Sequence, residues 1–452
     1  MKYRYREPHE LKDSGIEWIG KIPKEWKVKR IKHLVKEPLK YGANETAELD
    51  DPELPRYIRI TDFGDNGKLR EDTFKSLDYD KAKNFLLKDG DILFARSGAT
   101  VGKTFQFKNY EAVACFAGYL IKAAPDEQKI LSDYLYQFTK SISYENWKNS
   151  IFIKATIQNI GADKYKDFKL SLPNRKQQSL ITSFLDKKCT EFDNIIEKKE
   201  RIISKMEEAK QSLISEVVTG KVKIENGKIT PRKPEEMKES GIAWIGKIPK
   251  EWEVKKLKNV SELNARKLSE NEDPDLEINY VDIGNVNSNG KIEEIQVLRF
   301  ENAPSRARRI IKNGDTIIST VRTYLKAIAY FEKAEDNLIC STGFAVFSPY
   351  LDKFAKKYFY YLISSDRYIN QIVRNSVGVS YPAINASQIA NFNCFLPKIE
   401  QQSLIAFFLD KKTAEIDIAI TKTRDQIEKI KKAKQSLISE AVTGKIEVIE
   451  EK

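Results

Sequence analysis

The chain has 452 residues, 41% hydrophobic and 32% charged, with a formal net charge of +12. That length exceeds one ordinary core and predicts about two to four structural units. No apolar run reaches the ~20 residues of a membrane span. The four scattered cysteines, Cys115, Cys189, Cys340 and Cys394, offer no metal-knuckle pair and read as reduced and cytosolic.

The first residues, Met1 to Arg6, have no apolar signal core behind their charges, so the expected compartment is the cytoplasm and no membrane partner is expected. A block at residues 14–29 follows, reading SGIEWIGKIPKEWKVK. Short β-branched and aromatic runs predict strands at 56–61, 91–95, 103–107 and 118–123, and a helix at 131–139. After Pro173 a run free of proline and glycine extends to Thr219 and stops at Gly220, as a helix does. Residues 221–235, with Gly227, Pro231 and Pro234, read as a linker.

The same order then repeats. Residues 240–255 read SGIAWIGKIPKEWEVK, with Trp244 against Trp18, an offset of 226. Strands are predicted at 278–283, 315–320, 327–331 and 344–347, and a helix at 354–364. QQSLITSFLDKK from Gln177 matches QQSLIAFFLDKK from Gln401, and AKQSLISEVVTGK from Ala209 matches AKQSLISEAVTGK from Ala433, both offset by 224. Between these blocks only a skeleton matches, including Lys88-Asp89-Gly90-Asp91 with Lys312-Asn313-Gly314-Asp315 and Tyr134 with Tyr358. This is a domain duplication, since solenoid repeats run to about 20–50 residues. Near-identical frames around divergent interiors imply one architectural task and two readouts.

Each long helix carries an apolar stripe at three- to four-residue spacing. In the first it is Ile181, Leu185, Phe192, Ile195, Ile202, Met206 and Leu213, and in the second Ile405, Leu409, Ile416, Ile420, Ile427, Ile430 and Leu437. Helices of ~60 Å, at 1.5 Å per residue, cannot hide such stripes in a small domain, so they are expected to pack on each other as a two-helix coiled coil. The fold class is therefore α+β: two tandem domains, at residues 1–173 and 221–397 (the linker included), and two long helices, at 174–220 and 398–452 with the tail.

Catalytic chemistry is scarce. The only histidines are His9 and His33. Gly98-Ala99-Thr100-Val101-Gly102-Lys103-Thr104 resembles a phosphate-binding loop but is one residue short, and the second copy lacks it. A glycine-rich tip between two strands is the better reading. No Pro-Pro pair exists for an amino-methyltransferase base-holding loop. No catalytic or metal-ligating residue is assigned.

The polar tips suit nucleic acid, because arginine grips guanine O6/N7 and Asn or Gln grips adenine. Candidate DNA contacts in the first copy are Arg96, Ser97, Lys103, Lys154, Thr156, Gln158 and Asn159. In the second they are Arg306, Arg308, Arg309, Arg322, Tyr324, Lys326, Ser380, Tyr381 and Asn385. Each residue taken alone could equally be a solvated turn or cap, and the argument rests on the same tips being polar in both copies.

The framing blocks resemble the specificity subunits of Type I restriction-modification systems, twice and in the right order. That resemblance implies two target-recognition domains separated by an antiparallel pair of long helices, in a subunit without a catalytic site of its own that reads an asymmetric bipartite double-stranded DNA target. It implies docking of two methyltransferase subunits, joined by restriction-translocase subunits. S-adenosylmethionine, ATP and magnesium then belong to the partners, and none is expected on this chain. Two rivals are a self-contained methyltransferase or nuclease, which the missing loops oppose, and a protein-only coiled-coil scaffold, which has no need of two divergent interiors.

Overall fold

The computed structural model describes residues 1–64, 67–98, 100–152 and 159–450. The chain divides into two units, one of residues 1–199 and 424–452, the other of residues 200–423. Two helices, Arg175–Val218 and Ile399–Val442, each run through both units. They pack against each other antiparallel: Lys434 pairs with Asp193 at 2.6 Å, and Lys210 with Asp417 at 2.7 Å.

The first unit holds a four-stranded antiparallel sheet in the order Lys40–Tyr41, Leu120–Ala123, Ile92–Ala95, Thr104–Gln106. Beside it Arg56–Ile58 pairs in parallel with Ala114–Phe116. In the second unit the matching sheet is Ser261–Leu263, Phe344–Pro349, Thr316–Ser319, Ile328–Tyr330. Its companion is larger, four strands in the order Gln296–Arg299, Glu277–Val281, Leu338–Ser341, Ala307–Ile310. The skeleton motif explains itself here. Lys88 N and Lys312 N donate to the carboxylates of Asp91 and Asp315 at 2.9 and 2.8 Å, and Gly90 and Gly314 take φ of +89° and +88°. The motif is a turn feeding each unit's central strand.

The near-identical blocks turn out to touch one another. Gly220 ends the first long helix at φ +68°, and a Cβ there would collide with the Pro249 ring, 2.6 Å from its Cδ and closer still to its Cγ, and lie 3.0 Å from Trp252. Gly444 ends the second at φ +73°, and a Cβ there would lie 2.5 Å from Pro23 and 3.0 Å from Trp26. So the Ile-Pro-Lys-Glu-Trp block of each unit seats the C-terminal end of the long helix that finishes in that unit, which only glycine allows. The matched tyrosines serve the same joint: Tyr134 OH donates to Val442 O at 2.8 Å and Ser171 O at 3.0 Å. Tyr358 OH reaches Val218 O at 3.4 Å and Phe395 O at 3.3 Å. Buried Gln178 accepts from Leu131 N at 2.8 Å and donates to Pro173 O at 3.0 Å, and Gln402 repeats this with Ala355 N and Pro397 O, both at 2.8 Å. These satisfy otherwise orphaned backbone groups around the helix ends.

Each core accordingly mixes both helices. Ile181 and Leu185 join Ala441 and Val442 around Trp26 and Tyr134, while Ile405 and Leu409 join Val217 and Val218 around Trp252 and Tyr358. Leu213 and Leu437 pack on the edges of these cores.

Two expectations need correction. Ile195 and Ile202, placed in the helix seam, are 44% and 45% exposed. Their neighbours Ile196 and Ile203 are half-buried, in step with Phe192, Lys199, Met206 and Lys210. On the other helix Ile420 and Ile427 are buried and Ile416 and Ile430 half-buried. The seam thus alternates three- and four-residue steps, the heptad spacing that keeps one stripe facing a partner. The second correction concerns 221–235, read as a linker. Val222–Glu225 pairs with Lys228–Pro231 as a hairpin. Asn226 and Gly227 turn it with φ of +50° and +73°, the conformation in which Asn-Gly matches strand twist. In the first unit the equivalent pair is made by strands far apart in sequence, Lys2–Tyr5 with Ile446–Ile449.

Candidate nucleic-acid interface

In each unit the loop after the central strand clasps a second loop about 60 residues on. In the first, Ser97 bridges Asn159, and Ile160 N donates to Arg96 O at 2.8 Å. In the second, Val321 bridges Ala383, and Ile384 N donates to Thr320 O at 2.9 Å. Both clasps fall in register at the 224-residue offset, which sets Gly98 against Arg322 and Gly102 against Lys326.

Both turns have positive φ at the same two positions but carry different side chains there. Gly98 and Gly102 have φ of +80° and +83°, and Arg322 and Lys326 have +50° and +56°. Left-handed backbone costs a non-glycine residue roughly 1–2 kcal/mol, so the second unit bears strain at two positions that glycine relieves in the first. The segment that resembles a phosphate-binding loop joins two antiparallel strands, not a strand and a helix. It is a tip, held by Gly102 O accepting from Tyr144 OH at 2.9 Å.

Each tip carries an arginine over a tyrosine. Arg96 lies 5.0 Å from the centre of the Tyr41 ring, and its buried Nε has no hydrogen-bond partner among the described residues. Arg322 lies 4.3 Å from the Tyr381 ring. Cation–π stacking fixes a guanidinium plane and leaves its outer donors to a ligand. Tyr324 and Tyr381 are exposed beside it, as is Ser380.

The remaining candidates are placed differently. Lys326 Nζ donates to Asp366 at 2.9 Å and Lys103 Nζ to Phe63 O at 3.1 Å, so both ammonium groups have structural partners. Arg308 and Arg309 sit on the edge strand of the second unit's other sheet, with Arg306 just before it. Arg308 stacks over Phe300 at 4.7 Å. Arg309 is half-buried, and desolvation lowers its pKa. Asn385 begins the helix Ala386–Ala390, its N–H donating to Gln388 at 3.0 Å, and that role is structural. Lys154, Thr156 and Gln158 lie outside the described residues. Sequence reading missed Tyr41 as the partner of Arg96. The exchange of two glycines for Arg322 and Lys326 is legible at the 224-residue offset, but the positive φ those two side chains accept is not.

The family model for the Type I restriction modification DNA specificity domain matches residues 23–208 and again 249–429. The chain belongs to this family. As such it is a DNA-recognition subunit of a Type I restriction-modification complex. It is 24% identical over 436 residues to the Type I restriction enzyme MjaVIII specificity subunit of Methanocaldococcus jannaschii, spanning 95% of this chain and 94% of that protein. It is 25% identical over 440 residues to the putative type I restriction enzyme MjaX specificity subunit of the same organism, spanning 95% and 96%. The fold is shared with a chain solved in work on complex assembly and conformational transition of the type I R-M system, with TM-score 0.66, 14% identity, and coverage of 93% and 98%.

For a specificity subunit the rest of the side-chain chemistry is quiet. Burial pushes the thiols of Cys115, Cys340 and Cys394 up to about 12, which keeps them protonated and inert. Among the described residues no group of three His, Cys, Asp or Glu could hold a metal ion. No helix there is long and apolar enough to cross a membrane.

Proposed function

We propose that each unit of this specificity subunit reads one half of an asymmetric bipartite DNA target, in the cytoplasm, for a complex with two methyltransferase subunits and restriction-translocase subunits. The observation that carries this reading is the pairing of one frame with two unlike tips. A protein recognising one symmetric site needs identical tips, and one serving only as a scaffold needs none. Arg96, Ser97 and Asn159 form the proposed base-reading cluster of the first unit, and Arg322, Tyr324, Ser380 and Tyr381 that of the second. The positive surplus supplies sequence-independent phosphate contact, which sets register, while base edges at the tips supply specificity. S-adenosylmethionine, ATP and magnesium enter through the partners.

Residues 33–171 are to be replaced by the corresponding segment of a related specificity subunit, and methylated sites mapped in cells that also hold the methyltransferase partner. One half of the methylated sequence should change and the other persist. A change in both halves, or in neither, overturns the modular reading.

A further inference from the structure

The second unit keeps two charged residues in a backbone conformation that its twin gives to glycine, and the two differ in what their charges do. Lys326 is neutralised by Asp366 at 2.9 Å. Arg322 has no ion pair among the described residues, and its guanidinium rests on Tyr381, a ring 60% exposed. Its backbone is fixed on both sides: Arg322 N donates to Pro382 O at 2.7 Å, and Leu325 N donates to Arg322 O at 2.9 Å. The neighbouring loop is tied down too, with Thr323 Oγ1 and Ser376 Oγ 2.9 Å apart and Val377 and Ala383 exchanging backbone bonds at 2.8 and 3.0 Å. The flanking surface is apolar and exposed, with Leu325, Val377 and Val379.

We infer that Arg322 is the specificity-determining residue of the second unit and reads a guanine in its half-site, with Tyr381 as the positioning residue that holds its plane. This rests on the proposed DNA-reading function and deepens it. A strained residue persists where the surroundings over-determine it, and such strain gathers at functional sites. Glycine would relax this turn, as Gly98 shows, so the fold has no need of an arginine here. A planar fork of donors held on an aromatic face matches a flat pair of acceptors, which is what guanine O6 and N7 present in the major groove. A phosphate contact needs only charge, and Lys or Arg on any flexible exposed stem supplies it.

The test uses the full chain with its methyltransferase partner, comparing wild type, Arg322→Gly and Arg322→Lys on randomised duplexes at several salt concentrations, with thermal melting alongside. Arg322→Gly should fold and melt within a few degrees of wild type, since the relieved strain is offset by the lost stacking on Tyr381 and by glycine's greater freedom in the unfolded chain. It should keep the first half-site and lose its preference for one G·C pair in the second by roughly ten- to a hundredfold. Arg322→Lys, which keeps the charge and loses the fork, should relax the same position. Unchanged preference at every position in Arg322→Gly overturns the inference. So does a uniform loss across all sequences with a salt dependence shallower by about one ion, which identifies a phosphate contact instead. A wild-type complex showing no bipartite preference overturns the inference together with the function it rests on.

Discussion

The two units share the hydrogen-bond partners of their frame and part company at the tips. Where the first unit has positive φ at Gly98 and Gly102, the second has it at Arg322 and Lys326. The duplicated loops thus keep positive φ at matched positions while their side chains differ, even where a side chain costs stability. The frame had no such freedom: Gly220 and Gly444 are both hemmed in by a proline and a tryptophan.

If the frames are equivalent, breaking either should cost the same. Gly220→Ala and Gly444→Ala each place a methyl group against Pro and Trp at positive φ, combining a backbone penalty of ~1–2 kcal/mol with overpacking of ~1–3 kcal/mol. Calorimetry should show a lowered transition for both, and a loss confined to one variant would break the equivalence.

The helix seam sharpens the comparison within one element. Ile196→Asp and Ile203→Asp put charge into the half-buried stripe and should cost ~1–3 kcal/mol. Ile195→Asp and Ile202→Asp, one residue away on the exposed side, should stay within ~0.5 kcal/mol. Chemical denaturation of the four variants measures this, and equal losses would return Ile195 and Ile202 to the seam.

A smaller effect separates the units. Tyr134→Phe removes bonds of 2.8 and 3.0 Å, whereas Tyr358→Phe removes bonds of 3.4 and 3.3 Å. The first should cost ~1–2 kcal/mol and the second less than half of that, since weak bonds contribute little. The smallest expected change is a gain. Lys326→Gly removes left-handed strain but also an exposed ion pair worth ~0–1 kcal/mol, so melting should rise slightly or stay level. A fall would show that Asp366 depends on its partner.

Much of the frame was legible in the sequence, because glycine, proline and tryptophan at fixed offsets have narrow structural meanings. Both long helices and the α+β units followed from that duplication and from the apolar spacing. The seam was misread by one residue, since the Ile195-Ile196 and Ile202-Ile203 doublets fit either of two adjacent stripes. Only contact with a partner helix chooses between them. Asn226-Gly227 carried a hairpin signal that its flanking prolines obscured. The tips were legible as polar but not as strained or stacked. Left-handed backbone at Arg322 follows from the loops clasped around it, and Tyr41 reaches Arg96 only through the sheet.

The strand pair that closes the first unit has a consequence for synthesis. Lys2–Tyr5 leaves the ribosome long before its partner strand, Ile446–Ile449. At roughly 5–20 residues per second it waits on the order of 20–90 s. The second unit's hairpin, Val222–Glu225 with Lys228–Pro231, closes within moments of emerging. The unit begun second is thus complete first. Meanwhile the early strand stays in solution as an open edge. Its charges, Lys2 and Arg4 alternating with Tyr3 and Tyr5, protect it, because a charged edge resists pairing with a stray strand until Glu447 arrives to meet Arg4 at 2.5 Å.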